Sequence, residues 1–454
     1  MVIKNSTLFA CLFSFHFAFS QNDSSMIRSF FNEELSKGKS YDMLNHLSNK
    51  IGGRLSGSPQ AAQAVEWGKH TMEFLGFDKV WLQEVMVPHW VRGEKEQAKI
   101  LSQKEKVDVR ICALGNSIGT GTKGLNAIVV EVKSFKELEK LGRKNIEGKI
   151  VFFNRALDPT NIGTGSAYGG AVDQRGSGAV EAAKYGAIGV VVRSMTLALD
   201  DHPHTGAMHY DDSIPKIPAC AISTIGAAQL SDAIKLDPAT KFFFRQTCQM
   251  LEDEKSFNVV GEIRGSVFSD EIIVVGGHLD SWDLGDGAHD DGTGIVQSIE
   301  VLRLFKTLGI RPKRTIRAVL FMNEENGMKG GLKYAELAEK VNAKHLAAIE
   351  SDGGGFTPRS FGVDNENAVQ KMQPWVQELK QYGIHEINKG WGGVDISPLK
   401  KQGTVLIGYT CDSQRYFDYH HSEIDTFDKV NKRELELGAG CMAALVWLIS
   451  EYGL

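Results

Sequence analysis

The sequence predicts an α/β protein: a mostly parallel mixed sheet flanked by helices, interrupted by an inserted strand-rich domain. Three observations predict it. From about residue 255 onward, apolar strand-like runs alternate with helix-like runs, as in a parallel sheet covered on both faces. Between about 90 and 250 the runs are short and broken by Gly, Asn and Pro. In the second half, strand after strand ends in His, Asp or Glu, and a parallel sheet gathers such ends along one edge. The expected division is 1–20 as a signal peptide, 21–95 as the first part of the main domain, 96–250 as the insert and 251–454 as the catalytic part.

Length and composition bound the reading. A chain of 454 residues holds two or three domains' worth of core. Its 42% apolar and 24% charged residues are ordinary for a soluble globular protein. A formal net charge of -5 without a basic run excludes the usual nucleic-acid binder. At the N-terminus Lys4, the apolar run Leu8 to Phe19 and the small-x-small site Ala18-Phe19-Ser20 read as a cleavable leader, so a secreted or periplasmic protein is expected. A run of about 12 residues is too short to cross a bilayer, and no membrane span is expected elsewhere. Beyond Cys11, Cys112, Cys220, Cys248, Cys411 and Cys441 are scattered without metal-type spacing. They read as buried apolar residues, and their odd number leaves at least one free thiol.

The elements follow in order. Ser24 to Leu35 and Tyr41 to Leu47 carry i, i+3, i+4 apolar spacing. IGGRLSGSPQ, 51–60, is a Gly/Ser turn closing with Ser58 as N-cap and Pro59 at the first helical position. That helix runs to about Leu75, where Gly76 stops it, and Val80 to Val87 is a strand. The insert carries strands at Ala98–Leu101, Val107–Ala113, Gly124–Val132, Gly148–Asn154 and Gly189–Arg193, with a helix from Gly178 to Tyr185. Its segment 200–212 holds His202, His204 and His209. We read it as a polar loop, with a loop reaching toward the main site as the functional alternative. Strands then follow at Phe257–Ile263, Ile272–Val275, Thr315–Met322, Leu346–Ile349 and Val405–Tyr409. Helices at Gly294–Leu308, Gly330–Val341, Asn367–Tyr382 and Lys432–Tyr452 come between and after them.

The chemistry sits at the strand ends. Residues 272–294 open as a buried strand and end in a glycine-rich loop with His278, Asp280, Asp283, Asp286, His289, Asp290 and Asp291. Later strands lead into Glu324-Glu325, into Asp352 before three glycines, and into His420 and His421. One acidic strand end is a solvated loop. Four in succession, with His at both extremes, form a converging site. Imidazoles and several carboxylates, one of them bridging, suit two divalent ions about 4 Å apart that generate hydroxide near neutral pH. The adjacent pair Glu324-Glu325 can divide its labour, one binding metal and the other moving the proton. Asp280, two residues after His278, lies on the same side of an extended chain and can hold the imidazole's second nitrogen.

These residues carry a resemblance. GGHLDSWDLGDGAHDDGTG, NEENG, ESDGG and HHSEIDT, in that order, resemble the M28 family of zinc metallopeptidases. The resemblance covers nearly all of the mature chain. In the insert it includes GKIVFFNR, DQRGSGAVEAAKYGAIGVVVRS, PHTG and IPKIPAC, similar to a protease-associated domain. It implies a zinc aminopeptidase-like fold with two Zn2+ per chain. His278 and Asp352 would bind one ion, Glu325 and His421 the other, and Asp290 both. Glu324 would be general base and then acid, and Asp280 would orient His278. The family pattern places Asp and Thr four and five residues after the last ligand, and Asp425-Thr426 selects His421 over His420. Asp291 reads as a structural hydrogen-bonding residue. The implied function is that of a secreted zinc exopeptidase cutting short peptides, dipeptides with a free amino end. A broad aminopeptidase on longer peptides is the alternative. A non-catalytic binding protein would have lost ligands, and none is lost. Self-association as a homodimer is an expectation from the resemblance alone. Substrate-binding residues stay unassigned: Trp282 and Trp391 read first as packed aromatics, and Lys329 and Arg415 as surface charge.

Overall fold

The structure is a computed structural model and describes residues 23–103 and 105–454. The expected leader lies outside them. The described residues begin with helices at 23–37, Ser40–His46 and Pro59–Phe74. Ser58 caps the third by accepting the Ala61 N–H, Pro59 opens it, and Gly76 at φ 72 follows its end. Strand β1, Lys79–Val91, then runs along the edge of a first sheet.

The chain next builds a second sheet. Its strands are β2 Gln97–Leu101, β3 Lys106–Val109, β4 Ile111–Ala113, β5 Leu125–Val132, β6 Ile150–Phe153, β7 Gly189–Arg193, β8 Ala219–Ile222 and β9 Lys241–Arg245. Their order is β3-β2-β9-β5-β6-β7-β8-β4. The expected strand Val107–Ala113 is two strands, β3 pairing with β2 and β4 with β8. From β5 to β8 the neighbours are parallel, so this unit is itself α/β rather than merely strand-rich. Its helices Phe135–Ile146 and Thr224–Leu236 were not foreseen. The first packs Phe135, Leu138, Leu141 and Ile146 against the insert's core and is kinked at Gly142, so its apolar face is present in the sequence and was overlooked.

The chain returns through β10, Gln249–Ile263, whose first half pairs back on β1 as far as Val91. Then come β11 Phe268–His278, β12 Arg314–Phe321, β13 Lys344–Ser351, β14 Pro358–Val363, β15 Glu386–Lys389 and β16 Val405–Cys411. The first sheet runs β1-β10-β12-β11-β13-β16-β14-β15. Its centre, β12-β11-β13-β16, is parallel, and antiparallel pairs flank it. The expected helix Asn367–Tyr382 is broken into Glu366–Met372 and shorter turns. Pro374 opens one of those turns, because it has no N–H to continue a helix.

The core lies where helix Thr293–Thr307 packs on the parallel strands and helix Lys432–Tyr452 packs on that helix. The latter is long and apolar enough to cross a membrane, but 83% of its apolar window is buried inside the protein. The cysteines 112, 220, 248, 411 and 441 are free and buried.

Behind this core, Glu34 is buried against Glu300 and Arg303. Ser40 Oγ donates to Glu34 at 3.0 Å, and Arg303 Nε to Glu300 at 2.7 Å. Burial and the neighbouring Glu300 carboxyl push Glu34 from 4.5 up to about 10. The folded state therefore holds a proton that the unfolded chain gives up near pH 4.5. Stability from this group is full below that pH and declines as pH rises toward 10. Glu34→Gln should flatten this decline, measured as unfolding midpoints between pH 5 and 9.

Candidate metal centre

His278 is the last residue of β11, at the carboxyl edge of the parallel strands. The preceding glycine is required by space: a Cβ on Gly277 would come within 2.2 Å of Asp291 Oδ2. β12 leads into Asn323, Glu324 and Glu325, with Asn323 at φ 74. β13 leads into Asp352, and β16 into the short helix Tyr416–Tyr419 followed by His420 and His421. The parallel register thus sets four strand exits side by side.

Asp290 stands between two imidazoles. Its Oδ1 is 3.1 Å from His278 Nε2 and its Oδ2 is 3.2 Å from His421 Nε2. Asp352 Oδ1 lies 3.6 Å from His278 Nε2, and Glu325 Oε2 3.1 Å from His421 Nε2. Donors held 2.0–2.2 Å from a tetrahedral ion are about 3.3 Å apart, which is this spacing. Asp290 Oδ2 and Asp352 Oδ1 are buried without a hydrogen-bond donor, as oxygens aimed at a cation are. His278, Asp290 and Asp352 form one compact donor group, and Asp290, His420 and His421 another. The donor chemistry and spacing fit a divalent metal centre around Asp290.

The surrounding protein fixes these donors. Asp291 accepts the N–H groups of His278 and Gly294, each at 3.0 Å. Asp425 accepts those of His289 and Asp290 at 2.7 and 3.1 Å. Asp280 works differently from the expectation that its carboxylate meets His278. Its main-chain carbonyl lies 2.8 Å from His278 Nδ1, while its carboxylate is 4.0 Å away. That carboxylate instead accepts the N–H groups of Asn323, Glu324 and Glu325 at 2.6, 3.0 and 3.3 Å. One residue therefore sets the His278 tautomer, leaving Nε2 free, and shapes the turn carrying Glu324.

The electrostatics follow from burial. It would raise Asp290, but the His278 and His421 imidazoles beside its two oxygens hold it well below the usual carboxylate range. Burial and the repulsion of Asp290 lift Glu325 to about 7. Burial and the acids Asp352, Glu325 and Asp280 push Glu324 well up. Burial would depress His421, yet Glu325 and Asp290 carry it to about 10.

The second sheet's unit reaches this site. His204 Nδ1 donates to the His420 carbonyl at 2.7 Å, and the Thr205 N–H to the His421 carbonyl at 2.9 Å. His202 and Arg110 both contact Glu423, at 2.6 and 2.5 Å. The loop 200–212 is thus the reaching loop of the functional alternative. His420 stacks on His421 with centroids 3.5 Å apart, and its Nε2 is 3.7 Å from Asp290. Trp282 sets its ring edge against His421, while Trp391 is 66% exposed. Arg415 pairs with Glu434, and Lys329 lines a groove with Trp81 and Leu332.

Two arginines were missed. Arg54 sits in the segment read only as a Gly/Ser turn, and its buried guanidinium meets the 279–287 loop. Arg175, in the DQRGSG stretch, places Nη1 3.4 Å from His421 Nδ1. A lone arginine in a glycine-rich run was the only available signal for either.

Comparison with known proteins agrees with this architecture. The family model for Peptidase family M28 matches residues 258–446. Carboxypeptidase Q from Bos taurus is 35% identical over 416 residues, covering 91% of this chain and 86% of that protein. The crystal structure of a peptidase M28 precursor from Shewanella amazonensis superposes with a TM-score of 0.91 at 33% identity, covering 95% of this chain and 97% of that one. A zinc aminopeptidase from Bacillus subtilis shares the fold, with a TM-score of 0.62 at 19% identity over 89% of this chain and 93% of that one.

The geometry separates the adjacent histidines. His421→Ala should weaken metal retention by more than the about 10- to 100-fold typical of losing a supporting partner. His420→Ala should stay within that range. Equilibrium dialysis with metal analysis distinguishes them, and equal losses would contradict the assignment.

Proposed function

The chain belongs to peptidase family M28, and on that premise we propose that it is a secreted zinc-dependent exopeptidase that hydrolyses dipeptides with a free amino end. The observation that carries this reading is Asp290 with its two oxygens facing His278 and His421 separately. His278 and Asp352 would hold one zinc ion, Glu325 and His421 a second, and Asp290 both. Bound there, the ions would polarise the scissile carbonyl and make water acidic near neutral pH.

The chain's own residues do the rest. Glu324 has a raised proton affinity and is fixed by the Asp280-held turn, so it suits accepting the proton of the attacking water and returning it to the leaving amine. Asp280 keeps His278 Nδ1 engaged through its carbonyl. Thr205 and His204 hold His421 and His420 through their carbonyls, so the insert, which we read as a protease-associated-like domain at 96–250, also helps to position these histidines.

Arg175 supports the short-substrate reading. It is 8% exposed and has no acidic partner among the described residues. Its guanidinium lies over Tyr168, 5.4 Å from the ring centroid, beside His421. A buried, uncompensated cation next to the metal centre suits a substrate carboxylate. In a dipeptide the terminal carboxylate carbon lies within about 4 Å of the scissile carbonyl carbon, so recognising both selects dipeptides. Residues 1–20 as a leader and a homodimeric assembly complete the reading.

Hydrolysis of a peptide panel tests it. The zinc-loaded chain should cleave dipeptides, lose activity on chelation and regain it with zinc at two ions per chain. Glu324→Gln should abolish turnover while keeping the metal. Equal turnover of tri- and tetrapeptides would replace the dipeptidase reading with a broad aminopeptidase.

Amidating the dipeptide's carboxyl end should cost about 100-fold in kcat/KM, the scale of losing one partner of a buried charge pair. Arg175→Met should erase the difference between acid and amide. An unchanged ratio would remove Arg175 from the substrate site.

A further inference from the structure

Arg54 lies outside every strand-end motif, yet its whole side chain is spent on the metal loop. It is fully buried. Nε donates to the Leu279 carbonyl at 2.6 Å, Nη1 to Asp286 at 2.9 Å and Nη2 to Gly287 at 3.0 Å. Its main-chain N–H donates to Ser281 Oγ at 3.1 Å. The loop is shaped around it. Gly287 has φ 57, and a Cβ there would come within 2.3 Å of the Ser281 side chain and 2.9 Å of Arg54 Nη1.

This loop joins the donors. Leu279 follows His278, and Gly287 lies three residues before Asp290. An arginine from a segment more than 200 residues earlier therefore clamps both ends of the connection between two metal-facing residues. Its charge is placed as deliberately as its hydrogen bonds. Among the described residues it makes no ion pair, but the negative charges of Asp425, Asp280, Asp291 and Asp290 act on it. A planar guanidinium can serve three fixed carbonyls at once, whereas an ammonium on a flexible stem cannot reproduce that fork. The carbonyls satisfy its hydrogen bonds, and the acids of the site compensate its charge.

We propose that Arg54 is a positioning residue of the metal centre: it holds residues 279–287 so that His278 and Asp290 keep their spacing before any cation arrives, and it offsets the repulsion of the clustered aspartates. The proposal rests on the metal-binding reading above but not on the choice of substrate. Every hydrogen bond of Arg54 given by its side chain goes to a loop carbonyl. Its contribution is a preformed site, in which metal binding need not order the loop.

The test is zinc affinity, measured by competition with a chromophoric chelator on folded, metal-free protein, beside thermal melts with and without zinc. Arg54→Gln, which loses both fork and charge, should bind zinc about 100-fold more weakly, at the upper end for a partner that supports ligands. Arg54→Lys, which keeps the charge alone, should fall by about 10-fold. Ser58→Ala removes a helix cap on the same segment and serves as the structural control. It should lower the melting temperature and leave zinc affinity unchanged. A folded Arg54→Gln protein with wild-type zinc affinity overturns the proposal. If that variant does not fold, wild-type affinity in Arg54→Lys overturns it. A wild-type chain that binds no zinc overturns this proposal together with the metal-centre reading. A chain that binds zinc but leaves dipeptides intact overturns only the substrate reading, and the affinity ranking of the variants still decides the role of Arg54.

Discussion

The structure depends on keeping Asp290 ionised in a buried position. A lone buried carboxylate would take up a proton, because burial penalises the charged form. Here the carboxylate meets an imidazole at each oxygen, and its own N–H is held by Asp425. The protein's larger arrangements serve that contact. Parallel strands bring the exits of β11, β12, β13 and β16 to one edge. Gly277 admits the Asp291 carboxylate against the strand end. Asp291 and Asp425 are themselves acids, but they accept main-chain N–H groups and hold backbone in place. The acidic richness of the site therefore divides in two. Some carboxylates have donors from the protein, and others have bare oxygens directed inward.

The second unit is part of the site rather than an appendage. It fixes the carbonyls of His420 and His421 from the outside, while the sheet fixes their neighbours from within. His421 has φ 61, and the Thr205 N–H bond to its carbonyl helps to hold that conformation. The ladder between β1 and the first half of β10 ties the two units where the chain leaves and re-enters the first sheet. The insert also brings the Arg175 guanidinium beside His421.

Much of this was legible because the signals were local. Strong apolar runs flanked by glycine marked β11, β12, β13 and β16, and clustered His and acid residues marked their ends. The cap at Ser58 and Pro59 followed from side-chain chemistry within one turn. What was missed was held at long range or carried by short or interrupted patterns. β14 and β15 are short strands on the far edge of the sheet. Helix Phe135–Ile146 carries an apolar face that is interrupted at Gly142, where the helix kinks. Arg54 finds its partners among main-chain carbonyls, and a carbonyl carries no residue identity that a sequence pattern could display.

Asp280 shows the same limit at closer range. Spacing by two correctly placed it beside His278, and the simplest chemistry then joined carboxylate to imidazole. In the fold the nearer acceptor for Nδ1 is the main-chain carbonyl of Asp280, which leaves the carboxylate free for another task. Three successive N–H groups, from Asn323 to Glu325, converge on it. The turn that separates Glu324 from Glu325, so that one can move protons and the other can face a cation, is therefore built by the residue that also sets the tautomer of His278. On the proposed mechanism, ligand geometry and proton transfer would be coupled through one residue, by its main-chain carbonyl on one side and its carboxylate on the other.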